Sequence, residues 1–223
     1  MSASGVLLAI DASTYAGSVC VVRDGAPLSE ETTPMRGADE ERLMPAVAAA
    51  LERAGVTLAD VGRVVCGEGP GSVTSLRIAA SIAKGIAVAR ELPLATVSSL
   101  ALMVAASPAT GAPGEYIAAL DALRGEMYVA RCLVDDAGEV TPLGDVSFAT
   151  VEQISAWEAQ GARVVGPHRA IEATPHARGV VRLSAVLAAR APVDLAGWAP
   201  SYGRLAEAQV QWEAKHGRSL PVG

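Results

Sequence analysis

Apolar positions in this 223-residue chain fall into short runs broken by glycine and acidic turns, and the period of the runs changes along the sequence. VLLAIDAS (6–13) is apolar without interruption until Asp11, the pattern of a central strand covered on both faces. GSVCVVRDG follows after a short turn and closes on Asp24-Gly25, a hairpin signal, and APLSEETTP supplies a third, more exposed strand. The period then lengthens. Leu43, Val47 and Leu51 recur every four residues with Ala46, Ala49 and Ala50 beside them, so 39–55 reads as a helix. Asp39 is placed to cap it, Arg53 lies in its last turn, Gly55 stops it, and Pro45 is an irregularity near its start. A strand (VGRVVCGEG), a long helix (72–90), a strand (LPLATVSS) and a short helix (SLALMVAAS) come next.

The stretch SPATGAPGEY (107–116) is the strongest break, and it divides the chain into 1–107 and 108–223. After it, YIAALDALRGEMYVARCLVDDAGEV reads as two antiparallel strands. TVEQISAWEAQ reads as a helix, GARVVGP as a strand, SAVLAARAP as a helix, and the segment from Trp198 turns helical toward the end. This order is that of an α/β protein of two lobes, the second smaller. No internal repeat stands out.

Composition narrows the function. Half the residues are hydrophobic (51%) but only 4% are aromatic, so the core is built of Ala, Val, Leu and Ile, side chains that let elements approach closely. The 18 basic residues are outnumbered by 24 acidic ones, and none form a basic run, which argues against strong nucleic-acid binding by the chain alone. Cys20, Cys66 and Cys132 are odd in number, lack CxxC spacing and sit in apolar runs, so they read as buried thiols of a cytoplasmic protein. The N-terminus has no basic region before its apolar run, and no stretch is long enough to span a bilayer.

The glycine-rich turn GEGPGS between a strand and the long helix has the layout of a phosphate-binding loop. It fails both nucleotide patterns: no Lys follows until Lys84, and Ser72 stands where a dinucleotide fingerprint needs glycine. What survives is a tight turn capped by Ser72, or a generic anion contact at a helix start. The helix it launches carries two stripes, Ser75, Ala79, Ala83, Ala87 and Ile78, Ile82, Ile86. A stripe of small residues admits a second helix closely, from this chain or from a partner. His168, His176 and His216 are scattered, so no metal site is expected, and no GxSxG elbow supports a nucleophilic serine.

Four stretches together resemble one family. GEGPGSVTSLRIAASIAKGIA, LLAIDASTYAGSVCV, ALDALRGEMYVA and PSYGRLAEAQ are similar, in the same order, to signatures of the TsaB (YeaZ) family of tRNA threonylcarbamoyladenosine biosynthesis proteins. Val73 and Ser75 replace a Phe and a Gly of the signature, and Ala12 a Thr. The resemblance implies an actin/Hsp70-like (ASKHA, RNase H-like) fold with a reduced second lobe. It implies a non-catalytic homologue of the transferase TsaD that pairs with it and, with the ATPase TsaE, supports modification of adenosine 37 in tRNAs reading ANN codons. tRNA would then be met only through the complex, ATP and metal would sit on the partner proteins, and the chain alone would form a homodimer. The implied partner-binding residues lie on the helices 39–55 and 72–90: Leu43, Val47, Ala50, Ser75, Ala79, Ile82, Ala83 and Ile86. Asp11, Ser13, Gly69, Gly71, Ser72 and Asp121 are the residues that would make a vestigial nucleotide or phosphate contact. Two other readings stay open: a nucleotide-dependent enzyme of the same fold, with Asp11 and Asp121 holding Mg²⁺–ATP between the lobes, and a stand-alone homodimeric scaffold.

Overall fold

The computed structural model describes residues 5–37, 40–122 and 125–203. A first sheet holds β1 (Val6–Asp11), β2 (Ala16–Arg23), β3 (Ala26–Pro34), β4 (Val61–Gly67) and β5 (Leu94–Val97) in the order β3-β2-β1-β4-β5. The first three strands are antiparallel neighbours, whereas β4 runs parallel to β1 and to β5. Central β1 is buried on both faces because its period of two feeds two cores. Val6, Leu8 and Ile10 face a layer made by α1 (Leu43–Arg53) and α2 (Val73–Arg90), while Leu7 and Ala9 face α3 (Ser99–Ala106).

The first helix begins at Leu43, where its apolar stripe begins, four residues on from the start expected at Asp39. Its leading N–H groups, on Leu43 and Met44, are met by the Glu41 carboxylate, with 3.1 Å to Met44. Asp39, the expected cap, lies outside the described residues. Pro45 falls in the first turn, where a missing N–H costs nothing, which removes the irregularity.

The second sheet holds β6 (Gly114–Asp121), β7 (Glu126–Val134), β8 (Val140–Pro142), β10 (Val164–Gly166) and β11 (Ile171–Glu172) in the order β11-β10-β6-β7-β8, with β9 (Ser147–Thr150) also pairing with β7. Read from the other edge, this is the order of the first sheet, with the same antiparallel and parallel neighbours. The repeat that the residues conceal is therefore present in the topology. The second copy is reduced: α2 has no counterpart, because residues 167–170 alone join β10 to β11. α4 (Val151–Ala159), opened by a reciprocal Thr150–Gln153 capping box, covers the outer face of this sheet.

Between the two sheets lies α3, buried from Ser99 to Ala105 and apolar on nearly every side, as a central helix must be. Ala9, Cys20 and Val65 of the first sheet, Leu100 to Ala105 of α3, and Tyr116, Ala130 and Cys132 of the second sheet form one continuous core. A 3₁₀ segment (Ala177–Arg182) joins that core and packs on α3 and on β1, β2 and β3. α5 (Ser184–Ala189) follows. Residues 190–203 then cross the first lobe, with Val193 N donating to Leu94 O (2.9 Å) and Ser201 N to Glu68 O (2.7 Å). The sequence break at Ser107 thus falls between the two sheets but not between two separate cores, and the 108–223 half returns to the first lobe. Through residue 203 the closing segment is not helical, and its expected helix beyond lies outside the described residues.

Candidate functional site

The C-terminal ends of β1 and β4 meet at the residues that the sequence offers for a nucleotide or phosphate contact. Asp11 is fully buried there. Its Oδ1 accepts from the backbone N–H (3.1 Å) and hydroxyl (2.8 Å) of Ser13, and its Oδ2 from the Ser99 hydroxyl (2.6 Å). Burial pushes the Asp11 carboxyl above the ordinary carboxylate range, against the pull of the bonds from Ser99 and Ser13. The glycine turn closes directly on this loop. Ser72 N donates to Ser13 O (2.7 Å), Gly69 N donates to the Ser99 hydroxyl (3.1 Å), and the Gly69–Pro70 peptide is cis. Side chains are barred at three glycines: a Cβ at Gly67 would run into the Asp11 carboxylate, at Gly71 into the Ser13 carbonyl and at Gly69 into the Ser201 carbonyl.

The cradle is therefore filled by the protein's own atoms. Both Asp11 oxygens are engaged, and the glycines serve close approach between protein segments. This arrangement does not fit a metal-bound nucleotide, and Asp121 does not complete one: it lies exposed at the end of β6, while Asp11 is fully enclosed. Ser72 is the N-cap residue of α2, but its hydroxyl pairs with that of Ser75 (3.1 Å) and makes no capping bond. Sequence reasoning missed Ser99 and Ser201, which close the cradle from 88 residues and more away from Asp11. It also missed Arg190, whose guanidinium holds Glu68 Oε1 (2.9 Å) and Thr96 O (3.0 Å) behind the turn.

Seven of the eight residues singled out for a partner contact are spent inside the chain. Leu43, Val47, Ala50, Ser75, Ala79, Ala83 and Ile86 are buried, all but Ser75 in the core beneath α1 and α2, and Ile82 alone is partly accessible. The small-residue stripe faces inward because α2 must pack on β4 and α1 at once. What α2 turns outward is a second set: Thr74, Ser81, Gly85, Val88 and Ala89 are exposed, with Ile78 and Ile82 half-buried beside them. Val88 is 63% exposed, and Met44 of α1 is 38% exposed. The flanking cations are held back from this face: Arg77 Nε donates to the Tyr202 hydroxyl (3.2 Å), and the Lys84 ammonium bonds the Trp198 carbonyl. Nothing lies within 4 Å of a Cβ built on Gly85.

Elsewhere the three thiols are free and buried, and burial pushes Cys20 and Cys132 up to about 12. Among the described residues no cluster of His, Cys, Asp or Glu could hold a metal ion, and no helix is long and apolar enough to cross a membrane.

The duplicated strand order and the α3 layer between the sheets define an actin-like (ASKHA) α/β protein with a reduced second lobe. The family model described as TsaD, tRNA N6-adenosine threonylcarbamoyltransferase, matches residues 36–166. The chain belongs to that family, and within it to the TsaB/YeaZ branch. It is 36% identical over 133 residues to the tRNA threonylcarbamoyladenosine biosynthesis protein TsaB of Escherichia coli, covering 59% of this chain and 57% of that one. It is 25% identical over 224 residues to the TsaB of Bacillus subtilis, covering 92% and 97%. The chain thus spans little more than half the length of the E. coli relative and nearly all of the B. subtilis one. Among solved structures, a Pseudomonas aeruginosa protein described as similar to peptidase YEAZ superposes with a TM-score of 0.75 at 29% identity, over 90% of this chain and all of that one. A second, described as YeaZ from the same organism, gives 0.72 at 28%, over 89% and 99%.

Proposed function

We propose that this chain is a non-catalytic subunit that docks on a TsaD-like transferase through the outer face of α2 and the adjoining end of α1. The pair would work, with a TsaE-like ATPase, in a cytoplasmic complex that threonylcarbamoylates adenosine 37 of tRNAs reading ANN codons. The observation that carries the reading is Gly85. A glycine in a helix interior costs about 1 kcal/mol relative to alanine, and here it sits exposed in open space, so nothing among the described residues repays it. Flanked by Ser81, Ala89, Ile78 and Ile82, it offers a groove in which another helix backbone can lie close. The filled cradle supports the non-catalytic half of the reading, since the Asp11 oxygens that a metal-bound nucleotide would need are engaged by Ser13 and Ser99; ATP and metal would then belong to the partners. The TsaB names of the relatives support the pathway. A net charge of −6 supports a chain that meets tRNA only within the complex.

The test is Gly85→Arg. The variant should fold, because the site is open. It should lose co-purification with the organism's own TsaD-like protein and fail to support threonylcarbamoyladenosine formation in a reconstituted assay. Gly85→Ala should raise the stability of the isolated chain by about 1 kcal/mol. Undiminished association of Gly85→Arg would move the docking face elsewhere. Self-association of the isolated chain that Gly85→Arg also abolishes would mean that two copies share the face the partner uses.

A further inference from the structure

We propose that His176 is an acid-responsive cap whose neutral ring keeps the returning 3₁₀ segment seated on the edge of the first sheet. His176 stands at the N-cap of Ala177–Arg182. Its Nδ1 accepts from the Arg178 backbone N–H at 3.1 Å, and its Nε2 lies 3.3 Å from the Thr32 hydroxyl on β3. A ring that accepts at Nδ1 carries its proton on Nε2, which fixes the tautomer and lets that N–H donate to Thr32. The residues it caps are stitched across three strands and a helix. Ala177 N donates to the Ser18 hydroxyl on β2 (2.9 Å), that hydroxyl reaches Asp11 O on β1 (3.4 Å), and Arg178 Nε donates to Ala106 O at the end of α3 (3.0 Å).

Adding a proton at Nδ1 sets donor against donor and removes the cap. The charges around the ring do not offset this. Glu30 on β3 lies 3.9 Å from Nε2, but its Oε2 is already shared with the Arg178 guanidinium at 3.4 Å. Arg178 repels a second cation, and Asp11 on β1 attracts it from deeper in the core. The Cys20 thiol on β2 is pushed up to about 12 and stays neutral. Glu172 of β11 lines the same opening, a cavity of about 170 Å³ lined also by His176, Ser107, Pro108 and Thr174. Burial first, and Arg178 second, lower the histidine pKa below its ordinary 6.5, against Glu30 and Asp11. The contribution of the neutral ring to stability is therefore present above about 6.5, the unfolded value, and is lost as pH falls from there through the folded value.

Two measurements decide it. In the wild-type chain, nitrogen and carbon shifts of the His176 ring should show the Nε2–H tautomer at pH 7.5 and a titration midpoint below 6.5. Exchange protection of the Arg178–Arg182 amides, corrected for intrinsic rates, should fall on the order of tenfold as the ring protonates, the scale of one capping bond, while β1 and β4 stay protected. In urea unfolding, the midpoint should drop less between pH 7.5 and 5 for His176→Asn, which keeps an acceptor for the Arg178 N–H and cannot titrate. His168 and His216 are common to both chains and cancel. An Nδ1–H tautomer, unchanged local protection, or equal pH dependence in the two chains would overturn the proposal. If His176→Asn does not fold, the ring titration and local exchange of the wild type decide alone.

Discussion

The two lobes share one strand order and differ in what joins the fourth strand to the fifth. In the first lobe the link is the glycine turn and the 18-residue α2; in the second it is residues 167–170. Both fourth strands end in a glycine pressed against the first strand of the same sheet. At Gly67 the obstruction to a Cβ is the Asp11 carboxylate, and at Gly166 it is the Ala119 carbonyl. The strand order evidently needs the glycine but not the helix. β11 can be reached by four residues because it pairs over only two, so the link need not run back along a strand. α2 is thus an elaboration of one lobe, and its outer face is surface that the other lobe never acquired.

The comparison can be broken at the layer the lobes share. Leu100→Ala empties a fully buried site in α3 and should cost about 2–5 kcal/mol. Because that core touches both sheets, fluorescence of Trp157 in the second lobe and of Trp198 on the first should follow a single urea transition, read with single-Trp variants. Two separated transitions would show lobes that fold independently. A smaller effect sharpens the contrast between the loops. Gly71→Ala forces a methyl toward the Ser13 carbonyl and should cost about 1–3 kcal/mol. Gly125→Ala, at a turn residue with φ 78° and nothing nearby, should cost only its backbone conformation, about 1 kcal/mol. Equal losses would mean that the first loop is no more tightly filled than the second. At Asp11 the prediction is one of sign alone. Its carboxyl is raised above the usual range, so its share of stability is whole below about 3.8 and is lost as pH rises through the folded value. Asp11→Asn should therefore gain on the wild type from pH 4 to pH 7 in urea midpoints, and a gap that narrows with pH would reverse the sign.

Most of the elements were legible because they are made by local period and punctuation. α2 begins one residue after Ser72 and ends at Arg90, β1 ends on Asp11, and α4 opens at the Thr150 cap. The resemblance named the fold correctly. What stayed hidden depends on contacts remote in sequence. The inward turn of Ala79 and Ala83 could not be told from an outward one by spacing, since a helix packed on both a sheet and a neighbour has two apolar faces. Gly85 marks the outward face in the structure, since it alone of the helix-interior positions lacks a side chain and lies in open space. The duplicated strand order left no trace in the residues because topology constrains period and turns, not identities. Ser99 carries no local mark of its bond to Asp11, for it reads only as the first residue of an apolar helix.

The shared core has a mechanical consequence. Two-lobed enzymes that close on a ligand need a soft joint, a few residues able to rotate without tearing a packed interior. Here any rotation of one sheet against the other would drag α3 across Ala9, Val65, Tyr116 and Ala130 and open voids in a medium as dense as a crystal. The chain is therefore expected to act as a strut. A load applied on α2 would arrive at the second sheet with its direction kept, through α3 and through the closing segment, where Tyr128 donates to Tyr202 O at 3.2 Å and Tyr202 in turn meets Arg77.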